Sequence, residues 1–192
     1  MTSDLQNKWD RRYRRSVTDE PVAAQVLQEN RHLLPAVGDA LDLACGRGGN
    51  ALLLAKAGLR VQAWDISPVA IEALQARAIA ERLALQAEVR DVLVKPPPQT
   101  SFDVIVVSHF LERTLTESLC AALRPGGLLF YQTFVRDKVG QQGPGNPDYL
   151  LAENELLSMF ATLRLRVYRE EGCLGDTTQG LRNEALYVGQ KR

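Results

Sequence analysis

Apolar runs of strand length alternate with segments of helical periodicity from about residue 40 to the end of the chain. Phe102 to Ser108 and Leu128 to Phe134 are nearly continuous apolar runs, which is typical of strands buried on both faces. Ile71, Leu74 and Ala78 recur at helical spacing between such runs. The alternation predicts an α/β fold in which helices cover both faces of a mainly parallel sheet, a three-layer αβα sandwich.

The predicted elements follow this alternation closely. Strands are expected at 41–44, 59–64, 84–89, 102–108, 128–134, 163–169 and 184–189, and helices at 49–57, 68–83, 116–123 and 153–160. Ser67 is expected to cap the second of these helices, with Pro68 at its first position. The segment 136–149 is rich in glycine and proline, which predicts a long loop of the kind that often acts as a lid.

One motif joins the first predicted strand to the first predicted helix: Leu41-Asp42-Leu43-Ala44-Cys45-Gly46-Arg47-Gly48-Gly49-Asn50. A glycine-rich turn at this place lets a ligand approach bare backbone. Asp65 ends the next apolar run, and its carboxylate suits the two hydroxyls of a ribose. Asp42 would repel a pyrophosphate, so it favours instead a ligand with a cationic end, such as the amino group and sulfonium of S-adenosylmethionine.

This run resembles motif I of the class I S-adenosylmethionine-dependent methyltransferases. The continuation through Ala63-Trp64-Asp65-Ile66-Ser67-Pro68 resembles the tellurite-resistance, TehB-like branch, with thiopurine methyltransferase as a more distant relative. The resemblance extends from about Trp9 to Leu157. It implies a Rossmann-like, seven-stranded, mostly parallel sheet of order 3-2-1-4-5-7-6 with one antiparallel strand. It also implies S-adenosyl-L-methionine as cofactor and S-adenosyl-L-homocysteine as product.

The resemblance further implies which residues bind the cofactor. Asp91 would accept a hydrogen bond from the adenine amino group and the Val92 amide would bond a ring nitrogen, although Asp91 could also be a solvated turn residue. Trp9-Asp10-Arg11-Arg12-Tyr13 resembles a segment that caps the cofactor, with Arg12 and Tyr13 near the methionine carboxylate and sulfonium. The alternative is a solvated charge run whose aromatic residues pack on the fold. The whole expected set is Arg12, Tyr13, Asp42, Ala44, Gly46, Gly48, Asn50, Asp65, Ile66, Asp91, Val92 and Ser108.

His109 is the candidate catalytic residue, because it directly follows the fourth predicted strand at the edge where open α/β sheets bind ligands. A histidine there could take a proton from an oxygen or nitrogen nucleophile. The alternative is a histidine that only shapes the pocket. A soft anionic acceptor, such as a thiolate, selenide or telluride species, would need no base.

Length and charge bound the remaining expectations. The 192 residues predict a single domain, with 1–35 as a helical cap over the cofactor and 36–192 as the Rossmann-like core. Lys+Arg and Asp+Glu both number 23, so no basic excess favours a nucleic-acid partner. Three cysteines without paired spacing fit a reducing cytoplasm and suggest no metal site. Neither a signal peptide nor a membrane span is expected.

The sequence therefore predicts a methyltransferase, monomeric or homodimeric, that modifies a small-molecule acceptor such as a thiol or a tellurite- or selenite-type species. Two other functions stay open. One is methylation of RNA or protein, and the other is cofactor binding without catalysis.

Overall fold

The computed structural model describes residues 2–15 and 20–192, and the elements named here lie within them. One sheet of seven strands has the order β3-β2-β1-β4-β5-β7-β6. The strands are β1 Asp39–Leu43, β2 Arg60–Asp65, β3 Leu85–Val89, β4 Phe102–Ser108, β5 Leu123–Phe134, β6 Arg164–Arg169 and β7 Glu184–Gln190. The helices are α1 Thr2–Arg15, α2 Gln25–Glu29, α3 Gly49–Lys56, α4 Pro68–Ala80, α5 Thr116–Ala122 and α6 Glu155–Met159.

Strand direction divides the sheet into two parts. The pairs β1–β2, β2–β3, β1–β4 and β4–β5 are parallel, whereas β7 runs antiparallel to both β5 and β6. The predicted α/β sandwich, its strand order and its single antiparallel strand are thus confirmed. Because β1 to β4 are parallel, their carboxyl ends meet at one edge of the sheet, which we call the carboxyl edge.

Both faces of the sheet are buried, which explains the continuous apolar runs. Val104 and Val106 of β4 belong to one apolar cluster, while Ile105 and Val107 belong to the cluster on the opposite face. Successive residues of a strand point to opposite faces, so a strand between two helical layers needs apolar residues at every position.

Helix α4 begins as predicted, but it ends three residues earlier. The Ser67 hydroxyl accepts a hydrogen bond from the Ala70 amide at 3.3 Å, and Pro68 occupies the first turn. Arg82 has a φ of 52°, a left-handed conformation that a helix cannot include. The helical pattern of the sequence therefore continues past the point where the backbone turns toward β3.

Apart from α4, and from β4, which matches, the predicted strands and helices differ by one or two residues at an end, while β5 differs most. β5 begins at Leu123 instead of at residue 128, because Leu123 pairs with Phe102 before the register shifts. The loop 136–149 contains one 3₁₀ turn, Pro147–Tyr149, and is otherwise irregular. The division into a cap of 1–35 and a core of 36–192 stays a prediction, and residues 1 and 16–19 lie outside the described residues.

Candidate active site

The glycine-rich turn lies at the carboxyl edge, where β1 and β2 end side by side. Leu43 is paired with Trp64, and the Cys45 amide donates to the Trp64 carbonyl at 2.9 Å. The Gly46 amide then donates to Oδ2 of Asp65 at 2.8 Å. The two features predicted to hold the cofactor, the turn after β1 and the acid after β2, are therefore in direct contact.

A different structural constraint requires glycine at each of the three glycine positions of the turn. Gly46 and Gly48 have φ values of 51° and 80°, which favour glycine. A Cβ on Gly48 would collide with Leu74, so this glycine also lets α4 pack closely. A Cβ on Gly49 would meet the carbonyl of Val22, so the segment before α2 crosses the start of α3 at that point. Gly46 alone faces an aromatic hydroxyl, that of Tyr13.

Asp42 is fully buried inside β1 and holds the start of α3. Its Oδ2 accepts from the Ala51 amide at 3.0 Å, and its Oδ1 accepts from the Asn50 side-chain amide at 3.3 Å. Asn50 also bonds the Ser108 hydroxyl at 2.9 Å and accepts from the Ala24 amide at 2.8 Å. Burial raises the pKa of Asp42 to about 7. Three predicted site residues, Asp42, Asn50 and Ser108, thus form one network beside the turn.

Asp65 is the second buried acid of the site. Its Oδ1 accepts from the Ser67 amide at 2.9 Å, in addition to the bond from Gly46 to Oδ2. Burial raises the pKa of Asp65 above its ordinary value, and the backbone hydrogen bonds act in the opposite direction. The Ile66 amide also lowers the pKa of Asp65 by hydrogen bonding, so three backbone amides face this carboxylate and one of its four acceptor positions is left for a ligand hydroxyl.

Helix α1 lies against this site through two side chains. The Ser67 hydroxyl donates to the carboxylate of Asp10, which is buried. The Tyr13 hydroxyl lies 2.9 Å from the position that a Cβ on Gly46 would take. Burial and the nearby Asp65 and Cys45 raise the pKa of the Tyr13 phenol. Arg12, in contrast, is exposed and has its guanidinium 5.5 Å from the ring centre of Trp9.

The predicted adenine-binding residues follow β3. The Arg90 amide donates to the Asp65 carbonyl at 2.8 Å, which brings this segment next to the turn after β2. Asp91 accepts from the Leu93 amide at 3.0 Å through one oxygen, and Val92 is buried in the core. Ala44 has a left-handed φ of 54°, and Ile66 lies half-buried between Asp65 and Ser67.

His109 also lies at the carboxyl edge, and the structure gives it a carboxylate partner. Its Nε2 is 3.1 Å from both carboxylate oxygens of Glu184, at the start of β7. The Gln132 side-chain amide donates to the same carboxylate at 2.6 Å. Burial opposes ionisation of Glu184, but the hydrogen bonds and charge of His109, with the bond from Gln132, lower its pKa overall.

A cavity of about 400 Å³ adjoins this group of side chains. It is lined by Gln132 and Glu184, by Gln25 at the start of α2, and by the segments 139–142 and 177–183. Its volume falls within the range of small-ligand pockets. A second cavity of about 430 Å³ lies on the outer surface of α1, between Lys8, Arg11, Arg12 and Arg15.

Sequence reasoning missed Glu184, Gln132 and Asp10 as members of this site. The sequence pattern could have indicated Gln132, because it is a polar residue inside the apolar run of β5, as Asp42 is in β1. It could not have indicated Glu184 or Asp10, since their partners His109 and Ser67 lie 75 and 57 positions away in the chain.

Comparison with known proteins gives the same picture. Residues 40–127 match the family model described as a methyltransferase domain. A ubiquinone biosynthesis O-methyltransferase of Methylocella silvestris is 29% identical over 160 residues, which are 73% of this chain and 62% of that protein. The structure of TehB from Haemophilus influenzae superposes with a TM-score of 0.72 at 20% identity, over 96% of this chain and 67% of that chain.

A third similar protein is at 25% identity and a TM-score of 0.66, over 89% of this chain and 82% of the other. The chemistry named for that structure is the conversion of a disulfide bond into a thioacetal group during echinomycin biosynthesis.

Among the described helices none combines the length and apolar character needed to cross a membrane.

Fold, glycine turn and family match define a Rossmann-like methyltransferase domain. The chain is similar to the class I S-adenosylmethionine-dependent methyltransferases and has a TehB-like fold, as the resemblance implied. The family's cofactor, S-adenosylmethionine, is the one that the motif implied. The chain spans 62% of the length of its curated Methylocella relative, so that protein's substrate does not transfer to it directly.

Proposed function

We propose that this protein transfers a methyl group from S-adenosylmethionine to a small-molecule acceptor. The observation that carries the proposal is the contact between the Gly46 amide and Asp65, 2.8 Å apart at the carboxyl edge. This contact forms a cradle of bare backbone next to a buried carboxylate that keeps one acceptor position for a ligand. A ribose and the chain attached to it need both features.

The described residues fit the cofactor at each of its parts. Asp65 would accept from a ribose hydroxyl, and Asp91 with the Val92 amide would contact the adenine. Tyr13, over Gly46, would cover the methionine end, while Asp42 and Asn50 would keep the turn and Ser108 in place. The bound cofactor supplies an electrophilic methyl group on a sulfonium. The protein's task is to align the acceptor with that methyl and to exclude water, which can contribute several kcal/mol, on the order of 7–11 in the best cases.

We propose a thiol or chalcogen species as the acceptor. The resemblance of the motif to the tellurite-resistance, TehB-like branch supports this choice, and so does the relative whose described chemistry involves a disulfide bond. The cavity of about 400 Å³ beside Glu184 has room for a small molecule. The expected cytoplasmic location and the monomeric or homodimeric state stay predictions from the sequence.

The test is a screen of the full chain with methyl-labelled S-adenosylmethionine against thiols, selenite and tellurite, phenols and total RNA. Label in a thiol or chalcogen product would support the proposal. Label mainly in RNA would replace it with RNA methylation, and cofactor binding without any transfer would favour a binding protein. Asp65→Ala should transfer less label to every product, because it binds the cofactor more weakly. The matched control is Asp39→Ala, which removes an aspartate at the opposite end of β1.

A further inference from the structure

His109 is held in an uncommon backbone conformation that directs it to the carboxyl edge. Its φ is 52°, and its amide donates to the Gln132 carbonyl at 2.8 Å. Such left-handed non-glycine residues cost free energy and are often found at functional sites. The preceding residue, Ser108, bonds Asn50 at 2.9 Å, so His109 follows directly on the network that supports the glycine turn.

The Glu184 carboxylate determines which ring nitrogen of His109 is available to accept a proton. An ionised carboxylate only accepts hydrogen bonds, so Nε2 of His109 must carry the hydrogen that lies between them. Nδ1 of the neutral ring is then the nitrogen with a free lone pair. Gln132 holds Glu184 from the other side at 2.6 Å, and its own oxygen accepts from the Val26 amide at 2.7 Å. The carboxylate is thus fixed from two directions.

We infer that His109 is the catalytic base for acceptors whose nucleophilic atom still carries its proton, and that Glu184 and Gln132 are positioning residues. The inference rests on the proposed methyl transfer and names the protonation state of its substrate. A thiol or hydroxyl group fits this description, whereas an anion that is already ionised does not need the base.

The charge balance of the methyl transfer explains why a carboxylate is needed next to His109. The acceptor's lone pair forms the new bond to the methyl carbon, the electrons of the old sulfur–carbon bond remain on the sulfur, and the acceptor's proton passes to Nδ1 of His109. The positive charge of the sulfonium therefore ends on the imidazole ring. Glu184, 3.1 Å from Nε2, stabilises that charge where it arrives.

The cavity position agrees with this role. Gln132 and Glu184 belong to its lining, so an acceptor in the cavity lies next to the group that holds His109. The ring of His109 also packs on Phe134, with centroids 5.0 Å apart, which limits its rotation. A base held by a carboxylate on one nitrogen and by an aromatic ring on its face is pre-oriented for proton transfer.

The experiment compares two thiol acceptors with His109→Asn in the full-length protein. The alkanethiol 2-mercaptoethanol is protonated at neutral pH, whereas 4-nitrothiophenol is ionised. Catechol serves as a third, hydroxyl acceptor and separates oxygen from sulfur specificity. Asparagine is chosen because it tolerates the left-handed backbone better than alanine. The matched control is His32→Asn, which changes the chain's other histidine, exposed in the 3₁₀ turn Arg31–Leu33.

We expect His109→Asn to reduce turnover of 2-mercaptoethanol or catechol by roughly 10²–10⁴-fold, but that of 4-nitrothiophenol by about tenfold or less. Glu184→Gln should change the ratio of the two thiol rates in the same direction. A merely structural role would lower both rates equally and leave this ratio unchanged.

Three results would overturn the inference. They are full activity of His109→Asn on a protonated acceptor, equal losses on both thiols, and an unchanged rate ratio in Glu184→Gln. Each of them leaves the proposed function intact, because the wild-type protein still transfers the methyl group. Absence of transfer by the wild-type protein to any small acceptor would instead refute the proposed function, and the inference with it.

Discussion

Asp42 and Asp65 are both buried acids at the carboxyl edge, but their hydrogen-bond partners differ. Asp42 is bonded to groups of α3, and Asp65 to the amides of the two turns that border the candidate ribose site. The first acid therefore supports the turn, while the second lies beside the candidate ribose site. This difference leads to a separate prediction for each residue.

Asp65→Ala is expected to weaken S-adenosylhomocysteine binding by about 1.5–3 kcal/mol, the scale of hydrogen bonds to a charged group. Isothermal calorimetry measures the change, with Asp39→Ala as the control. Equal affinity of Asp65→Ala and wild type would show that the carboxylate does not contact the ligand.

Asp42 should make stability fall as pH rises. Burial raises the pKa of Asp42 to about 7 from an ordinary value of 3.8, so the folded state binds the extra proton between these two values. Stability from this group is complete below about 3.8, declines up to about 7 and is then constant.

The pH effect of Asp42 can be isolated by comparison with Asp42→Asn. Asparagine never ionises and faces the Asn50 amide at every pH, so its steric and hydrogen-bonding cost is constant. Relative to wild type, the variant's free energy of unfolding should rise from pH 5 to pH 7, as part of a total of on the order of 4 kcal/mol at most. Urea titrations at several pH values measure it. A flat difference would mean that Asp42 is ionised in the fold throughout this range.

The residues of the glycine turn were predictable because they are close in sequence or at neighbouring strand ends. Asp42, Gly46 and Asp65 follow from one strand–turn–helix motif and the next strand. Glu184 was not predictable, since its contact with His109 exists only when β7 inserts beside β5. A polar residue in an apolar run, such as Gln132, is the signal that can locate such partners.

At the scale of elements, hydrophobic periodicity located the strands and the helices from α3 onward, but not their ends. The ends depend on backbone events, such as the left-handed Arg82 after α4 and the register shift at the start of β5. Loops are still harder, because their contacts come from distant segments. The loop 136–149 is one example.

This loop is tied to the segment before β7. The Gly140 backbone amide donates to Oδ1 of Asn183 at 3.1 Å, and the side-chain amide of Asn183 donates to Oε1 of Gln142 at 3.3 Å. Both partners line the cavity beside Glu184. The lid function predicted from composition therefore needs these contacts to open and close.

Trypsin cleavage after Lys138 tests the lid. We expect cleavage to slow when S-adenosylhomocysteine and an acceptor are both present, and to be faster in Asn183→Ala than in wild type, because the variant loses the tether. Asn146→Ala is the control, since that side chain bonds only within its own loop. A cleavage rate unaffected by ligands would identify the loop as a passive connection.

For the whole molecule, hydrophobic periodicity predicted the three layers of the αβα sandwich, whereas the resemblance to a known family implied the order of the strands. Alternating faces show that a strand is buried, but they do not say which strand lies next to it. The order β3-β2-β1-β4-β5-β7-β6 places the glycine turn, Asp65 and His109 on one edge. Ligand binding at that edge should therefore stabilise the entire domain.

Thermal unfolding measures this stabilisation directly. S-adenosylhomocysteine at 100 times its dissociation constant should add about 2.7 kcal/mol to the free energy of unfolding. For a domain of this size that corresponds to a rise of about 5–11 °C in the midpoint. NAD at the same concentration should produce no shift, because the carboxylate of Asp65, bonded to the Gly46 amide, would repel a pyrophosphate at the turn. Asp65→Ala should show a smaller shift than Asp39→Ala with the same ligand. A shift of the unfolding midpoint with NAD, and none with S-adenosylhomocysteine or S-adenosylmethionine, would contradict the cofactor assignment while leaving the fold unchanged.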